Sequence, residues 1–317
     1  MEYKKKLTAL LSVIAALAIV YAASYIFNPE VSSSRSASYS WLDSKLSGRV
    51  SRIVLSQPNS GEKTEIIKNN GKWFVLNNGI EYPARQLRVD DFISVFTARS
   101  AWSVRSSGAS SHARLGLTET ASRITIYGEN STLLDLLIGV GDSTGREVYL
   151  RRYGQNEVRS GENRIGSYLG SVKSWYNLSL IPESEDGKSA LNGVQRLSVY
   201  TDAGQQIFSL NNKAWTLSGI VVEKPDQSAI NSYINSVLNI EGDDFIDSIK
   251  SDDPMLNHSR IVLEFGNGNV RTIRFSESDE NGGRYAAVST SDNVYSISPW
   301  TAQSLFKNAW DFESQGN

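Results

Sequence analysis

An uncharged apolar run from Leu7 to Phe27 opens the chain, and beyond it apolar positions recur either at every second residue or at every third and fourth. At about 1.5 Å of rise per residue, a helix of about 21 residues spans roughly 31 Å, the thickness of a bilayer's hydrocarbon core. Residues 1–27 are therefore expected to form a single transmembrane anchor. Lys4, Lys5 and Lys6 precede the run and Asn28, Pro29 and Glu30 follow it, an asymmetry that puts the N-terminus in the cytoplasm and the rest of the chain outside. A cleavable signal peptide is the competing reading, since Val20 and Ala22 offer a small-residue cleavage pattern. The run is longer than the ~7–15 residues of a usual signal core, which favours a retained anchor. Export follows either way. The serine-rich stretch Asn28 to Ser40 has no apolar periodicity and suits a flexible stalk, expected over residues 28–46.

Past the stalk the patterning occurs twice, offset by about 140 residues, which marks an internal duplication. The first copy opens with an alternating stretch at Val50 to Leu55 and the second with one at Val194 to Val199; both predict half-buried strands. Each is followed by an Asn-rich turn delivering a tryptophan into a strand, Asn69 to Leu76 with Trp73 and Asn211 to Leu217 with Trp215. Helical spacing then appears, with Val89, Phe92, Ile93 and Phe96 in one copy and Ile230, Tyr233, Ile234 and Val237 in the other. Each set forms one apolar stripe that must lie on a sheet. Pro83 and Pro225 precede the two helices, and Asp226 is placed to cap the second. A second run of strands starts at Ser122 to Tyr127 and Ser259 to Phe265, continuing through Leu133 to Ile138 and Glu147 to Arg152, or Val270 to Phe275 and Tyr285 to Val288. Gly139-Val140-Gly141 and Gly266-Asn267-Gly268 read as the hairpin turns between them. Each copy closes on a short helical segment ending in Trp175 or Trp310.

The expected fold class is α+β: the transmembrane helix, then two tandem duplicated modules of mostly antiparallel sheet with packed helices, because the connections are too short for crossovers. The first module is expected over 47–181 and the second over 194–314. The polar stretch from Pro182 to Lys188 marks a linker, expected over 182–193.

Composition narrows the function classes. Hydrophobic residues make up 40% of the chain and charged residues 21%, a globular balance. Beyond the anchor, 29 basic face 33 acidic side chains, too even a balance to argue for nucleic acid. The chain has no cysteine, which excludes a lipid-modified cysteine, disulfides and thiol chemistry.

Chemistry-bearing residues are sparse. His112 and His258 stand at comparable places in the two copies but have no neighbouring His or Cys to begin a metal site, so both read as surface-loop histidines. Asp243-Asp244 and Asp252-Asp253 lack the alternating grammar of a calcium loop and read as a solvated face. Gly139-Val140-Gly141 with Gly145 lacks the lysine of a phosphate loop. Arg146, Arg151, Arg152 and Tyr153 read as a solvated basic strand edge. Seven tryptophans and fourteen tyrosines raise the question of sugar stacking. Trp73, Trp215, Trp175 and Trp310 recur at repeat-equivalent positions, as core anchors do. That leaves Trp102, Tyr153 and Trp300 as candidate ligand or partner contacts. No catalytic set, metal site or cofactor site is indicated.

The apolar anchor, the lysine-tryptophan hairpin, the helix, Ala113-Arg114-Leu115-Gly116-Leu117 and Leu134-Asp135-Leu136-Leu137-Ile138-Gly139 together resemble the bacterial domain-of-unknown-function 4340 family. The second copy departs from that pattern at Pro254-Met255-Leu256-Asn257. The resemblance implies a single-span protein of the inner membrane with a periplasmic body, encoded beside ABC transporters of the gliding-motility type, and it transfers no catalytic residue. The function expected is that of a non-enzymatic, membrane-anchored periplasmic accessory or scaffold protein, with transporter subunits or other envelope proteins as partners. The alternative is a cell-envelope module that binds glycan such as peptidoglycan.

Overall fold

The structure, a computed structural model, describes residues 14–18, 20–21, 38–181 and 193–314 of the 317. Of the apolar run expected to cross a membrane, the few described residues are helical and exposed. The remainder of the run, most of the stalk and most of the linker lie outside the described residues. No helix among the described residues is long and apolar enough to cross a membrane. The described residues from 38 onward form mostly antiparallel sheets with a few helices, in two compact units, Met1–Asn177 and Leu178–Asn317.

The first unit comprises β1 (Ser38–Tyr39), β2 (Arg52–Gln57), β3 (Glu62–Asn69), β4 (Lys72–Asn77), β5 (Ile80–Pro83), helix α1 (Gln86–Thr97), β6 (Ser100–Ala101), β7 (Ser103–Ser106), β8 (Ser122–Tyr127), β9 (Thr132–Gly141), β10 (Glu147–Arg152) and β11 (Val158–Glu162). Its main sheet has nine strands in the order β5-β4-β3-β2-β8-β9-β10-β11-β7, while β1 pairs with β6 apart from it. The second unit comprises β12 (Val194–Thr201), β13 (Gly204–Asn211), β14 (Ala214–Ser218), α2 (Gln227–Leu238), β15 (Asp244–Phe245), β16 (Ser259–Phe265), β17 (Val270–Phe275), β18 (Arg284–Val288), β19 (Val294–Ile297) and α3 (Pro299–Leu305). Its eight-stranded order, β14-β13-β12-β16-β17-β18-β19-β15, is that of the first unit without a partner for β5. The duplication read from the sequence is thus a duplication of topology.

Local chemistry accounts for the hairpins. Asn70 and Gly71 take φ of 48° and 82° between β3 and β4, and Asn212 and Lys213 take 49° and 68° between β13 and β14. Paired positive φ values define the tight turn whose twist suits antiparallel strands. Gly139-Val140-Gly141, expected to be a turn, is instead the end of β9, with the reversal falling on the residues after it. The glycine serves close approach: a methyl group at Gly139 would lie 2.1 Å from the Leu115 carbonyl oxygen. Leu115-Gly116-Leu117 crosses β9 there, the Val140 amide donating to the Leu115 carbonyl at 3.1 Å and Gly116 adopting φ of 69°. Leu115 and Leu117 then pack with Ala121, Leu137 and Val158. In the second unit Leu256, from the divergent Pro254–Asn257 turn, fills a comparable place against Ala287 and Val294.

Both helices present the expected stripe. Val89, Phe92, Ile93 and Phe96 are buried in α1, and Ile230, Tyr233, Ile234 and Val237 in α2. Asp226 caps α2, accepting from the Ser228 and Ala229 amides. In the first unit Phe92 meets Phe96, Tyr168 and Trp175 edge-on at 5.0, 5.2 and 5.6 Å. In the second, Phe208, Tyr233 and Phe312 form the corresponding cluster. Burial, reinforced by a hydrogen bond to Asp91, pushes the Tyr168 hydroxyl up to about 12; burial alone raises that of Tyr233.

The first residue of each helix does more than begin it. Gln86 Oε1 accepts from the Trp73 amide at 2.9 Å while its Nε2 donates to the Trp73 carbonyl at 3.0 Å. Gln227 repeats both bonds on Trp215 at 2.8 Å each. One side-chain amide therefore completes the main-chain pairing of each tryptophan and fixes the helix start against its strand.

Two expected boundaries and one expected strand edge differ from the structure. Ser38–Tyr39 pairs with Ser100–Ala101, and Trp41 and Leu42 are buried, so the end of the stalk belongs to the first unit because it carries apolar side chains that the unit covers. Leu178, Leu180 and Ile181 are buried, and the first two bond the main chain at Gly242 and Ile240. Those last residues of the expected first module therefore lie in the second unit. Finally, Arg151 and Arg152 are not on a strand edge, because β10 lies between β9 and β11. Arg151 is buried and donates to the Leu117 and Gln155 carbonyls at 3.0 and 2.9 Å, and Arg152 donates to the Trp41 carbonyl and the Tyr39 hydroxyl.

Replacing Gln227 by Ala is expected to cost about 1–3 kcal/mol, since both main-chain groups of Trp215 lose this partner, and replacing Gln86 to cost less, since the Trp73 carbonyl keeps the Ala84 amide and only the Trp73 amide is left without its acceptor; urea unfolding of the two variants measures it. Gly139→Ala is expected to cost about 3 kcal/mol by driving Leu115 off β9, whereas a variant with an unchanged unfolding midpoint would show that the close crossing does not exist.

Candidate functional site

Two shallow hollows open on the described surface. One, of about 520 Å³, lies between Ser51-Arg52 and the Tyr127 to Thr132 turn. The other, of about 610 Å³, is lined by residues including Met255, His258, Glu277, Asp279 and Tyr285. His258 Nε2 stands 3.4 Å from Asp202 Oδ2, while Asp279 is engaged by the Asn281 and Gly283 amides. Arg284, below its ordinary pKa through desolvation, bonds the Ser276 carbonyl at 2.8 Å and covers the Phe306 ring. In the first unit His112 Nε2 lies 3.0 Å from the Asn156 carbonyl. Asp253 caps the turn that begins at Pro254. Among the described residues no three His, Cys, Asp or Glu side chains are grouped as metal ligands. These polar groups hold loops and turns together.

The three candidate contact residues are not alike. Trp102 is 3% exposed, packs edge-on against Trp41 at 5.5 Å, and has Gly161 pressed against its ring. Its ring is unavailable for stacking, which corrects the expectation. Tyr153 is 43% exposed, but the Arg123 guanidinium covers one face at 4.0 Å, itself held by Asp135 at 2.7 Å. Trp300, in the second unit, is 79% exposed. Ala302 and Leu305 form the buried side of α3, and at 100° per residue Trp300 falls on the opposite side.

Trp310, expected in the core, is 68% exposed. Hydrogen bonding explains why. In the first unit the Arg85 amide donates to the Trp175 carbonyl and the Asn177 amide to the Pro83 carbonyl. In the second, Asp226 donates to Phe312 and Ser314 to Lys224. Trp175 therefore corresponds to Phe312, two residues beyond Trp310. The same offset pairs buried Ile165 with Ala302 and Tyr168 with Leu305, so Trp310 corresponds to Lys173 and Trp300 to Asn163. Both first-unit positions are exposed and polar. Identical scaffolding in one chain thus carries polar residues in one copy and bare tryptophans in the other, and the fold does not require the latter. Sequence alignment by spacing missed this because Trp175 and Trp310 each close a copy, and only the backbone bonds reveal the two-residue slip.

Surroundings differ as well. Residues 38–177 carry 18 basic and 13 acidic side chains, whereas residues 178–314 carry 10 basic and 19 acidic. The near-balance of the whole conceals one basic and one acidic unit. Beside Trp310, the bonds to Asp226 and Lys224 align the segments bearing exposed Glu223, Asp311 and Glu313. Near Trp300, Gly282 approaches Pro299 and brings up the loop with exposed Asp279 and Glu280. The second unit therefore offers exposed aromatic surface with an acidic surround.

Residues 73–260 match a family model described as Domain of unknown function (DUF4340), more than half of the chain, and the protein belongs to that family. The match contains the Leu115-Gly116-Leu117 crossing and Gly139. No curated protein and no solved structure matches.

Trp102→Ala is expected to destabilise the first unit by about 3–5 kcal/mol, while Trp300→Ala is expected to leave stability within about 0.5 kcal/mol. Equal losses in chemical denaturation would mean that Trp300 is a packing residue and not a surface contact.

Proposed function

We propose that this DUF4340 protein is a non-enzymatic accessory or scaffold protein of the bacterial inner membrane, tethered by the Leu7 to Phe27 run, whose periplasmic body binds envelope proteins such as the subunits of a gliding-motility-type ABC transporter. The observation that carries the reading is the exposure of Trp300 and Trp310 on a scaffold whose other copy holds Asn163 and Lys173 in their places. Exposed tryptophan is costly to leave in water and is enriched where proteins meet. The scaffold suits such a role: its polar groups are spent on loops and turns, and its hollows are shallow. Tethering raises the local concentration of the body at the membrane, so modest contacts suffice.

Glycan binding is the weaker reading. It requires several aromatic faces open to a sugar, and of its three candidate rings Trp102 is buried and Tyr153 is half covered.

A photo-crosslinking residue placed at position 300 or 310 in intact cells is expected to yield adducts with an inner-membrane protein, and one at Lys173 to yield few. Absence of any protein adduct at both tryptophan positions, with normal amounts of the protein present, would remove the proposal.

A further inference from the structure

The second unit combines two features that point to the same chemistry. Trp300 and Trp310 present indole faces to solvent, and exposed Glu223, Asp279, Glu280, Asp311 and Glu313 on the adjoining segments are acidic, with exposed Lys224 and half-buried Lys307 as basic residues on those segments. The charge of the unit as a whole, 10 basic against 19 acidic side chains, has the same sign. An indole face attracts a guanidinium or ammonium group through its ring quadrupole, more strongly than any other aromatic side chain does. Carboxylates around it favour the same cation and repel anions at a range of about 8–10 Å. Anionic lipid headgroups and phosphorylated polymers are therefore poor occupants.

We infer that the exposed Trp300 and Trp310 of the second unit contact a cationic segment of a partner protein, one presenting Arg or Lys side chains among apolar ones, so that indole stacking and acidic complementarity act on the same residues. The inference rests on the protein-binding role proposed above and names the chemistry of that partner. The first unit bears Asn163 and Lys173 at the equivalent positions in a basic setting, so the preference belongs to the second unit alone.

The test uses the full chain in detergent micelles with a fluorescent peptide of alternating Arg and Leu, a matched peptide with Glu for Arg, neutral phosphatidylcholine vesicles and a chitin oligosaccharide. The Arg peptide is expected to bind, more weakly as salt is raised, and the Trp300→Ala/Trp310→Ala double variant to lose about tenfold in affinity. The Glu peptide is expected not to bind. Because both side chains are exposed, the double variant should unfold at the same urea concentration as the parent, which separates lost contact from lost fold. Undiminished binding of the Arg peptide by the double variant would reduce the effect to bulk charge and overturn the inference. So would tryptophan-dependent binding of the vesicles or the oligosaccharide in place of the peptide. If crosslinks from positions 300 and 310 reach a protein whose contacting segment lacks Arg and Lys, this inference fails while the protein-binding role stands; if no crosslinks form, the role itself fails.

Discussion

Each unit depends on covering one face of an antiparallel sheet with a single twelve-residue helix, and that helix cannot stand alone. Isolated helices of such length are marginal in water, so α1 and α2 exist because their apolar stripes are enclosed between sheet and closing turn. The closing turn is fastened by main-chain bonds at the helix start, Arg85 to Trp175 and Asp226 to Phe312. The glutamine at that same start grips the tryptophan of the neighbouring strand. Sheet, helix and closing segment thus meet at one corner, and the packing of Phe92 on Trp175 or Tyr233 on Phe312 follows from it.

Duplication supplies an internal comparison. What both copies retain is what the fold demands: the strand order, the Gln–Trp grip, the helix stripe and a large aromatic under the closing turn. What they do not share is free to differ. The Leu115-Gly116-Leu117 crossing, with Gly139 beneath it, is present in the first unit, while the second reaches a similar end with Leu256. Net charge and surface tryptophans diverge more sharply. Residues that differ between two copies of one scaffold are the natural place to look for a role specific to one of them, and that logic draws attention to Trp300 and Trp310 in preference to Trp102.

Much of the architecture was legible from local patterning. Period-two strands, Asn-rich hairpin turns and the i, i+3, i+4, i+7 stripes all depend on neighbours in the chain, and so they appeared at their expected places. The repeat was legible because both copies solve the same packing problem with similar residues. The Gln86 and Gln227 grips left a signal too, one amide residue at the same place in each copy, but its meaning requires seeing which backbone the side chain meets. Arg151 gave no such signal: a buried guanidinium and a solvated one read alike in sequence, and only the position of β10 inside the sheet separates them.

By itself the sequence determined the α+β class, the two antiparallel copies, the helix faces and the family, because each of these is set by short-range periodicity or by residues adjacent in the chain. Tertiary structure alone decided that Trp102 is enclosed and Trp310 bare, that Gly139 serves a backbone crossing, and that the chain divides at Asn177 into a basic and an acidic unit. Exposure and local charge are properties of what lies opposite a side chain in space. That neighbour comes from a distant stretch of chain, so no window of sequence contains it.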